Sequence, residues 1–404
     1  MGQRPPVLIV GGGIGGIAAA LALARTGREI LVLESRAAFE ETGAGLQLGP
    51  NAVRMLERLG VLERVAAHAF EPVSICIHDM ATSRPLARLP VREEMRRRFG
   101  MPYWTLRRQD LLDALVGRMA DVPEITARFG LQIERLSLGE DPAAARRVVA
   151  HPAAADDPAI EGVAAIGADG LWSRCRAFVP AAGDTRPRPG PAFSGHTAWR
   201  AMIPMEDAPA AFTEPDVSLF LGPDTHLVAY PVARGRLLNI VAVVEDPWQG
   251  EGYDHNADPA PLLVAFARAA PAIRDLLGAV ALWRRWALYG VPADRPWTRG
   301  PVTLVGDAAH PVLPFLAQGA ALALEDAVAL GCALQGAPDD IAGAFRRYEA
   351  ARRPRAARVQ AASQSNGGLY HMRGPMALAR NAVMGLVPAR RLLSRYDWLY
   401  GYRG

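Results

Sequence analysis

An aspartate at the tip of an aliphatic run opens the most informative stretch of this chain. Residues 302–305 (VTLV) read as a buried strand, followed at once by Gly306 and Asp307. A loop with Pro311 and Pro314 comes next, and Gln318-Gly319 opens an Ala-rich helix that carries Glu325 and Asp326. A carboxylate at a strand tip, beside a glycine that lets backbone come close, suits a bound polyol. Asp307 can accept hydrogen bonds from sugar-like hydroxyls that lack other partners in a dry cleft. The helix beginning near Gly319 aims unpaired N–H groups and a positive dipole end at the same cleft, where they can hold negative charge. On residue types alone, a strand, a loop and a core helix with Asp307 as a cap fit equally well.

A second constellation stands at the N-terminus. Residues 7–10 read as a strand, Gly11, Gly12, Gly13, Ile14, Gly15 and Gly16 as a GxGxxG turn, 17–25 as a helix, and 30–33 as a strand ending in Glu34. The first glycine makes the turn, the second lets backbone approach a pyrophosphate, and the third lets helix and strand pack closely, with the pyrophosphate on the helix N-terminus. Glu34 follows Gly11 by 23 residues (34 − 11), where an acid can hydrogen-bond a ribose. A lone GxGxxG is weak; inside a βαβ frame with this acid it reads as a dinucleotide site. Arg36 suits either a 2′-phosphate or the surface. The uncharged run 7–24 resembles a membrane span, but its five glycines each cost a helix interior about 1 kcal/mol relative to alanine.

The remaining elements must position these groups. Residues 42–59 are a glycine-rich loop passing into an amphipathic helix, and 73–89 alternate as sheet with a turn near Thr82-Ser83. Residues 104–119 start extended and continue as a helix with Arg108 at its N-terminal end, where a surface role would pair it with Asp110 or Asp113. A strand is expected over 129–136 and an Ala/Pro/Asp surface loop over 141–158. In 162–176 a strand, a turn and a helix follow, with Asp169 and Ser173 placed to cap. From 193 to 290 strand-like runs (195–203, 217–221, 225–232, 236–244) and a helix over 259–277 make an antiparallel insertion. It offers Trp199, Phe220, His226 and Tyr230 to a small planar substrate. Residues 341–360 form an Arg-rich amphipathic helix. The tail is helical, and its aromatic end at 396–400 packs on the domain or on a partner subunit.

The expected fold is therefore α/β: a Rossmann-like dinucleotide-binding domain built from 1–73, 104–180 and 291–362, an inserted antiparallel-sheet substrate domain from 74–103 and 181–290, and a C-terminal helical tail, 363–404. At 404 residues the chain has ample core. Its formal charge of +4 comes with no lysine at all, a compositional bias and not a nucleic-acid footprint. Three cysteines (Cys76, Cys175, Cys332) give no metal spacing and no even disulfide set, which fits a reducing cytoplasm. No metal, nucleic acid or membrane is expected.

The stretch GDAAHPVLPFLAQG…ED closely resembles the second FAD motif of the class A flavoprotein monooxygenases, the single-component aromatic hydroxylases. Three further matches occur in order: GxGxxG with Glu34, Arg108, and DGxxSxxR as Asp169, Gly170, Ser173 and Arg176. The likeness is greatest to the salicylate hydroxylase, 3-hydroxybenzoate 6-hydroxylase and 6-hydroxynicotinate 3-monooxygenase group. It implies non-covalent FAD, reduced by NADH or NADPH, with O₂ added at flavin C4a and one oxygen delivered from the hydroperoxide to an electron-rich aromatic ring. Without a second GxGxxG, the nicotinamide donor has no Rossmann domain of its own. The resemblance implies FAD contacts at Gly11, Gly13, Ile14, Gly15, Gly16, Glu34, Ser35, Arg36, Arg108, Leu131, Asp169, Asp307, Gly319 and Ala320. It implies substrate contacts at Gln47, Trp199, Phe220, Tyr230, Pro314 and Phe315. Electrophilic oxygen transfer needs a phenolate-like ring, and histidine is a base near working pH. His226 matches the position from which related hydroxylases offer a histidine to the substrate hydroxyl; the alternative is a core histidine satisfied by backbone. Pro314 replaces a glutamine of the hydroxybenzoate 6-hydroxylases, so their ring-positioning contacts need not transfer. A flavin epoxidase, a hydroxylase of a larger natural product, and a non-catalytic flavin-binding module are the rival readings. The enzyme is expected to be cytoplasmic, as a monomer or homodimer.

Overall fold

The computed structural model describes residues 5–40, 44–139, 147–179, 190–248, 250, 254–292 and 295–404. Gly43 of the glycine-rich segment and residues 141–146 of the expected surface loop lie outside them. The apolar runs Val7–Val10 and Ile30–Leu33 are buried throughout and pair in parallel, with the helix Ile14–Ala24 as their crossover. Ala164–Gly167 and then Val302–Leu304 add in parallel on one side of Val7–Val10, and Ile125–Arg128 adds beyond Ile30–Leu33. The result is a six-stranded sheet edged by the antiparallel Thr298–Arg299. Such continuous hydrophobic runs are what strands covered on both faces require. The order reverses beside the central Val7–Val10, and a ligand crevice forms at the C-terminal strand ends of such a point. Gly11 turns the chain there at φ +105°, and a Cβ at Gly16 would lie 1.9 Å from the Gly11 oxygen.

A second sheet of eight strands runs in the order Asp254–Ala257, Trp283–Gly290, Ala192–Pro204, Leu237–Glu245, Thr225–Val232, Val217–Gly222, Ile75–Asp79, Pro85–Leu89. Its pairs are antiparallel except Val217–Gly222 with Ile75–Asp79. Period-two alternation gives it two distinct faces. One face packs on two short helices, Ala260–Ala265 and Pro271–Gly278, through Leu262, Ile273 and Leu276. A single helix over 259–277 was the sequence expectation; Pro271 instead starts a new helix in its first turn. Similarly, the strand expected over 129–136 is found at Ile133–Leu138, and a separate strand, Ile125–Arg128, precedes it across the turn at Gly130.

The helix Gly319–Gln335 buries two adjacent acids, and their partners hold the domain together. Asp326 Oδ2 accepts the Gly306 N–H at 3.0 Å and lies 2.5 Å from His310 Nε2, while Oδ1 accepts Arg352 Nε at 2.8 Å. Glu325 pairs with Arg352 at 2.8 Å and takes both Arg355 Nε and Nη2, at 2.6 and 2.7 Å. These arginines flank Pro354 in the helix Ile341–Tyr370, which runs ten residues past its expected end (370 − 360). The pairs on either side offset the hydrogen bond that proline removes. Burial works to raise the Asp326 carboxyl, but His310 and Arg352 outweigh it and hold the group at about 2. A depressed carboxyl contributes stability above the ordinary carboxylate range, and that contribution is lost as pH falls from about 4 toward about 2. Removing the fully buried Arg352 takes a cation from both acids and leaves Asp326 Oδ1 without its guanidinium partner. Arg352→Met is expected to destabilise the fold by about 3–5 kcal/mol in urea unfolding; a change under about 1 kcal/mol would show that Arg352 does not hold them.

Candidate active site

An open cleft lies at the C-terminal ends of the parallel strands. Gln47, Arg108, Asp307, Pro314, Gly319 and Ala320 all face it, six of the residues expected from the sequence. Asp307 is exposed there because the loop behind it is pinned on two sides. The Gly306 N–H is held by Asp326, and Arg176 donates from Nε to the Ala308 carbonyl at 2.8 Å and from Nη2 to the Asp307 carbonyl at 3.0 Å. Arg176 thus works as a brace. Asp169 is also a local device: Oδ1 accepts from Ser173 Oγ at 2.6 Å and Oδ2 from the Arg174 and Cys175 N–H groups at 2.8 and 3.0 Å. Both oxygens serve the turn, and Asp169 is not among the cleft-lining residues. Gln318, at the start of the helix Gly319–Gln335, is fixed by Asn51 Nδ2, which donates to Gln318 Oε1 at 3.0 Å and to Glu325 Oε1 at 2.8 Å.

The other end of the nucleotide crevice gathers around Glu34. Its Oε2 accepts the Gly12 N–H at 2.7 Å; Oε1 accepts the Arg36 N–H at 2.8 Å and Ser35 Oγ at 3.2 Å. The Leu131 N–H donates to the Glu34 carbonyl at 2.9 Å. The first bond inside the helix Ile14–Ala24 is Ile17 N–H to the Gly13 carbonyl at 3.0 Å, so the amides of residues 14–16 point out of its end.

A second cavity meets the first at Gln47, Pro314 and Ala317, which line both. Ile75, Ile77, Val217, Leu219 and Val228 bring one face of the eight-stranded sheet to it, and Phe315 and Leu316 close it from the loop. The tail supplies the rest, including Tyr370, Met384, Tyr396 and Tyr400. Sequence reasoning missed this: the aromatic tail was read as packing, not as cavity wall. Tyr103 Oη donates to Gln47 Oε1 at 2.7 Å and orients that amide between the two spaces. Burial, the largest cause, raises the hydroxyls of Tyr370 and Tyr400, so both stay protonated.

His226 lines this cavity with its ring edge against Phe315 and Tyr370, and its Nδ1 lies 2.8 Å from His371 Nε2. Burial, then His371 and His196, push its conjugate acid well below the ordinary histidine range. The sequence expectation of an unperturbed histidine is corrected: His226 is a neutral imidazole at working pH.

Alternation corrects two further expectations, and packing a third. The register pairs Ala198 with Val243 and Val243 with His226, so these share the cavity face. Trp199, Ala242, Leu227 and Phe220 are the neighbouring row and point the other way. Trp199 and Phe220 belong to the core against the two short helices, where Phe220 also stacks on His78 at 4.7 Å. Tyr230 lies on the cavity side but is buried with Val217 and Val232 and lines neither cavity. Its hydroxyl is raised to about 12, chiefly by burial.

Comparison with known proteins settles the family. A model described as "FAD binding domain" matches residues 4–363. The chain belongs to the FAD binding domain family. It is 35% identical over 401 residues to 3-hydroxybenzoate 6-hydroxylase of Polaromonas naphthalenivorans (strain CJ2), covering 98% of this chain and 96% of that one. It is 34% identical over 402 residues to 3-amino-4-hydroxybenzoate 2-monooxygenase PtmB3 of Streptomyces platensis, covering 99% and 96%. A salicylate hydroxylase substrate complex superposes with a TM-score of 0.81 at 26% identity, covering 99% of this chain and 96% of that one. The chain is a class A flavoprotein monooxygenase of the aromatic hydroxylase group, and its cofactor is FAD. The residues fit that cofactor: a turn with no room for a Cβ at Gly16, a carboxylate at Glu34 fixed beside it, and a cleft with Asp307 and a helix N-terminus at its far end. No helix among the described residues is long and apolar enough to cross a membrane. Glu34→Ala and Asp307→Ala are each expected to weaken FAD retention by about 1–3 kcal/mol through unpaired polyol hydroxyls. Flavin content after dialysis checks this, and stoichiometric FAD with unchanged affinity in both variants would refute the placement.

Proposed function

We propose that this enzyme hydroxylates a small aromatic or N-heteroaromatic acid that already carries a ring hydroxyl, at the expense of NAD(P)H and O₂. The observation that carries this reading is a neutral, buried histidine inside an apolar cavity that shares a wall with the cofactor cleft. FAD supplies the oxygen chemistry when bound. The chain supplies three other things. Residues 74–103 and 181–290 form the substrate unit, whose apolar sheet face receives the ring. Pro314–Ala317 and the tail, 363–404, exclude water from the reacting centre. His226 takes the substrate's hydroxyl proton, which makes the ring electron-rich enough to react with an electrophilic oxygen. Because its pKa is lowered, His226 remains an acceptor as pH falls through the ordinary histidine range.

The cofactor-side roles follow the same geometry. Gly11, Gly13, Ile14, Gly15 and Gly16 receive the pyrophosphate. Glu34, with Ser35, Arg36 and Leu131 around it, holds the adenosine ribose; Arg108 and Asp307 take the phosphate and ribityl chain, and the Gly319-Ala320 amides the flavin edge. Gln47, Pro314 and Phe315 stand between flavin and substrate. NAD(P)H oxidation and oxygenated product, measured for hydroxybenzoates and hydroxypyridine carboxylates, test the reading. Anaerobic stopped-flow reduction is expected to be faster with a true substrate. Equal reduction rates with and without every such acid, and no product, would sink it. His226→Ala is expected to retain FAD and lose roughly 10²–10⁴-fold in hydroxylation rate, less at high pH where the substrate ionises unaided. A variant that hydroxylates at wild-type rate across the pH range would exclude His226 as the base.

A further inference from the structure

Behind His226 stand two more histidines, from distant parts of the chain. His371 ends the helix Ile341–Tyr370, with its N–H donated to the Gly367 carbonyl at 3.2 Å. His196 lies in the strand Ala192–Pro204, where the pairing with Trp283–Gly290 shifts register between Phe193 and Thr197; such an irregularity re-aims a side chain. The three rings form one continuous line. His226 Nδ1 is 2.8 Å from His371 Nε2, His371 Nδ1 is 3.2 Å from His196 Nε2, and His196 Nδ1 is 3.0 Å from the Ser194 carbonyl oxygen. Phe315 touches all three rings, at 5.5, 5.8 and 5.9 Å between centroids.

The last contact sets the direction of all the others. A carbonyl only accepts, so His196 Nδ1 must carry the hydrogen. With the rings neutral, His196 Nε2 is then an acceptor, which requires N–H at His371 Nδ1. That leaves His371 Nε2 bare, so it accepts from His226 Nδ1–H. His226 Nε2 is therefore the nitrogen with the free lone pair, and no other neutral arrangement satisfies all three contacts. Neutrality has its own cause: burial, the largest effect, lowers His226 well below the ordinary range and His371 to about 4. Asp224 opposes and Arg380 reinforces the shift at His371.

We propose that His371, backed by His196 and the Ser194 carbonyl, is a positioning residue that locks His226 in the Nδ1–H tautomer and presents a bare Nε2 to the cavity. Nε2 is the nitrogen of His226 that makes no hydrogen bond among the described residues, and it takes the hydrogen of the substrate hydroxyl. The O–H bond breaks, an Nε2–H bond forms, and the resulting imidazolium keeps its Nδ1–H bond to His371. In the opposite tautomer, Nε2 would carry a hydrogen already and could not act. This inference rests on the base role proposed for His226.

The test is ¹⁵N NMR of the FAD-loaded full chain, labelled at histidine, at pH 8, together with steady-state hydroxylation of 3-hydroxybenzoate. His226 is expected to show a protonated Nδ1 and an unprotonated Nε2. His371→Leu is expected to mix the tautomers and lower kcat at least about tenfold with KM little changed. His371→Gln, whose amide oxygen can accept from Nδ1–H, is expected to recover most of both. An Nε2-protonated His226 in the wild type would overturn the lock, as would wild-type kcat in His371→Leu, or a glutamine variant no better than leucine. If His371→Leu does not fold, the wild-type tautomer decides alone. A wild type that leaves every hydroxybenzoate and hydroxypyridine carboxylate untouched would refute the hydroxylase reading, and the tautomer would still decide the lock.

Discussion

The buried acids Glu325 and Asp326 set the terms for the whole molecule. Each is fully desolvated, a state that is tolerated only where partners surround the charge. Those partners come from three separate stretches: Asn51, the turn at Gly306 and His310, and Arg352 and Arg355 on the long helix, all converging on one helix. None of these stretches can move independently without leaving a charge stranded. The loop carrying Asp307 is thereby held at its strand tip. Arg355 extends the same constraint to the tail: it donates to the Trp398 and Leu399 carbonyls and lies 4.0 Å from the centre of the Tyr402 ring. A charge cluster behind the site thus determines where both its rear wall and its lid-like tail come to rest.

From that arrangement two neighbouring spaces arise with different characters. The cleft sets Arg108, Asp307 and Gln318, groups suited to phosphate and hydroxyl, among apolar and aromatic walls such as Trp172, Trp286 and Tyr289. The inner cavity is lined by aliphatic and aromatic side chains. They are separated by little more than the loop 314–317, where Ala317 sits in the left-handed region at φ +52°. A non-glycine residue there carries backbone strain that the surrounding packing must sustain. The thin partition has a chemical use, since it lets a cofactor edge and a substrate ring approach while the two are bound by different forces.

How legible this was depended on the range of the interactions involved. The GxGxxG turn, Glu34 and the strand-tip Asp307 were readable because the backbone chemistry that makes them work is local and leaves glycines and acids at set spacings. Trp199 and Phe220 were misplaced for a different reason. Both sit on plausible strands, but a one-residue choice of register decides which face a side chain takes, and composition does not record it. The tail was read as packing because nothing local marks Tyr370, Tyr396 and Tyr400 as neighbours of residues near 47 and 226. His196, His226 and His371 are likewise distant in the chain, and only the fold aligns their nitrogens.

The electrostatics of the inner cavity bear on what it accepts. Among its described lining residues there is no carboxylate, and the single arginine, Arg395, is exposed at the edge and not buried among the tyrosines. An anionic substrate entering ring first would therefore meet no like charge on the way in, and its carboxylate could stay near Arg395 and solvent while the ring is dried. A deeply buried carboxylate would need a buried cation, and the buried arginines among the described residues are already committed, Arg352 to Glu325 and Asp326, and Arg380 to Asn381 and the Leu369 and Tyr370 carbonyls. Deep inside, the polar groups are neutral: His226, Gln47, Asn366 and tyrosine hydroxyls. Such a wall favours a planar ring whose one ionisable hydroxyl faces His226 and whose fixed charge points outward, which is the polarity expected of a hydroxylated aromatic acid.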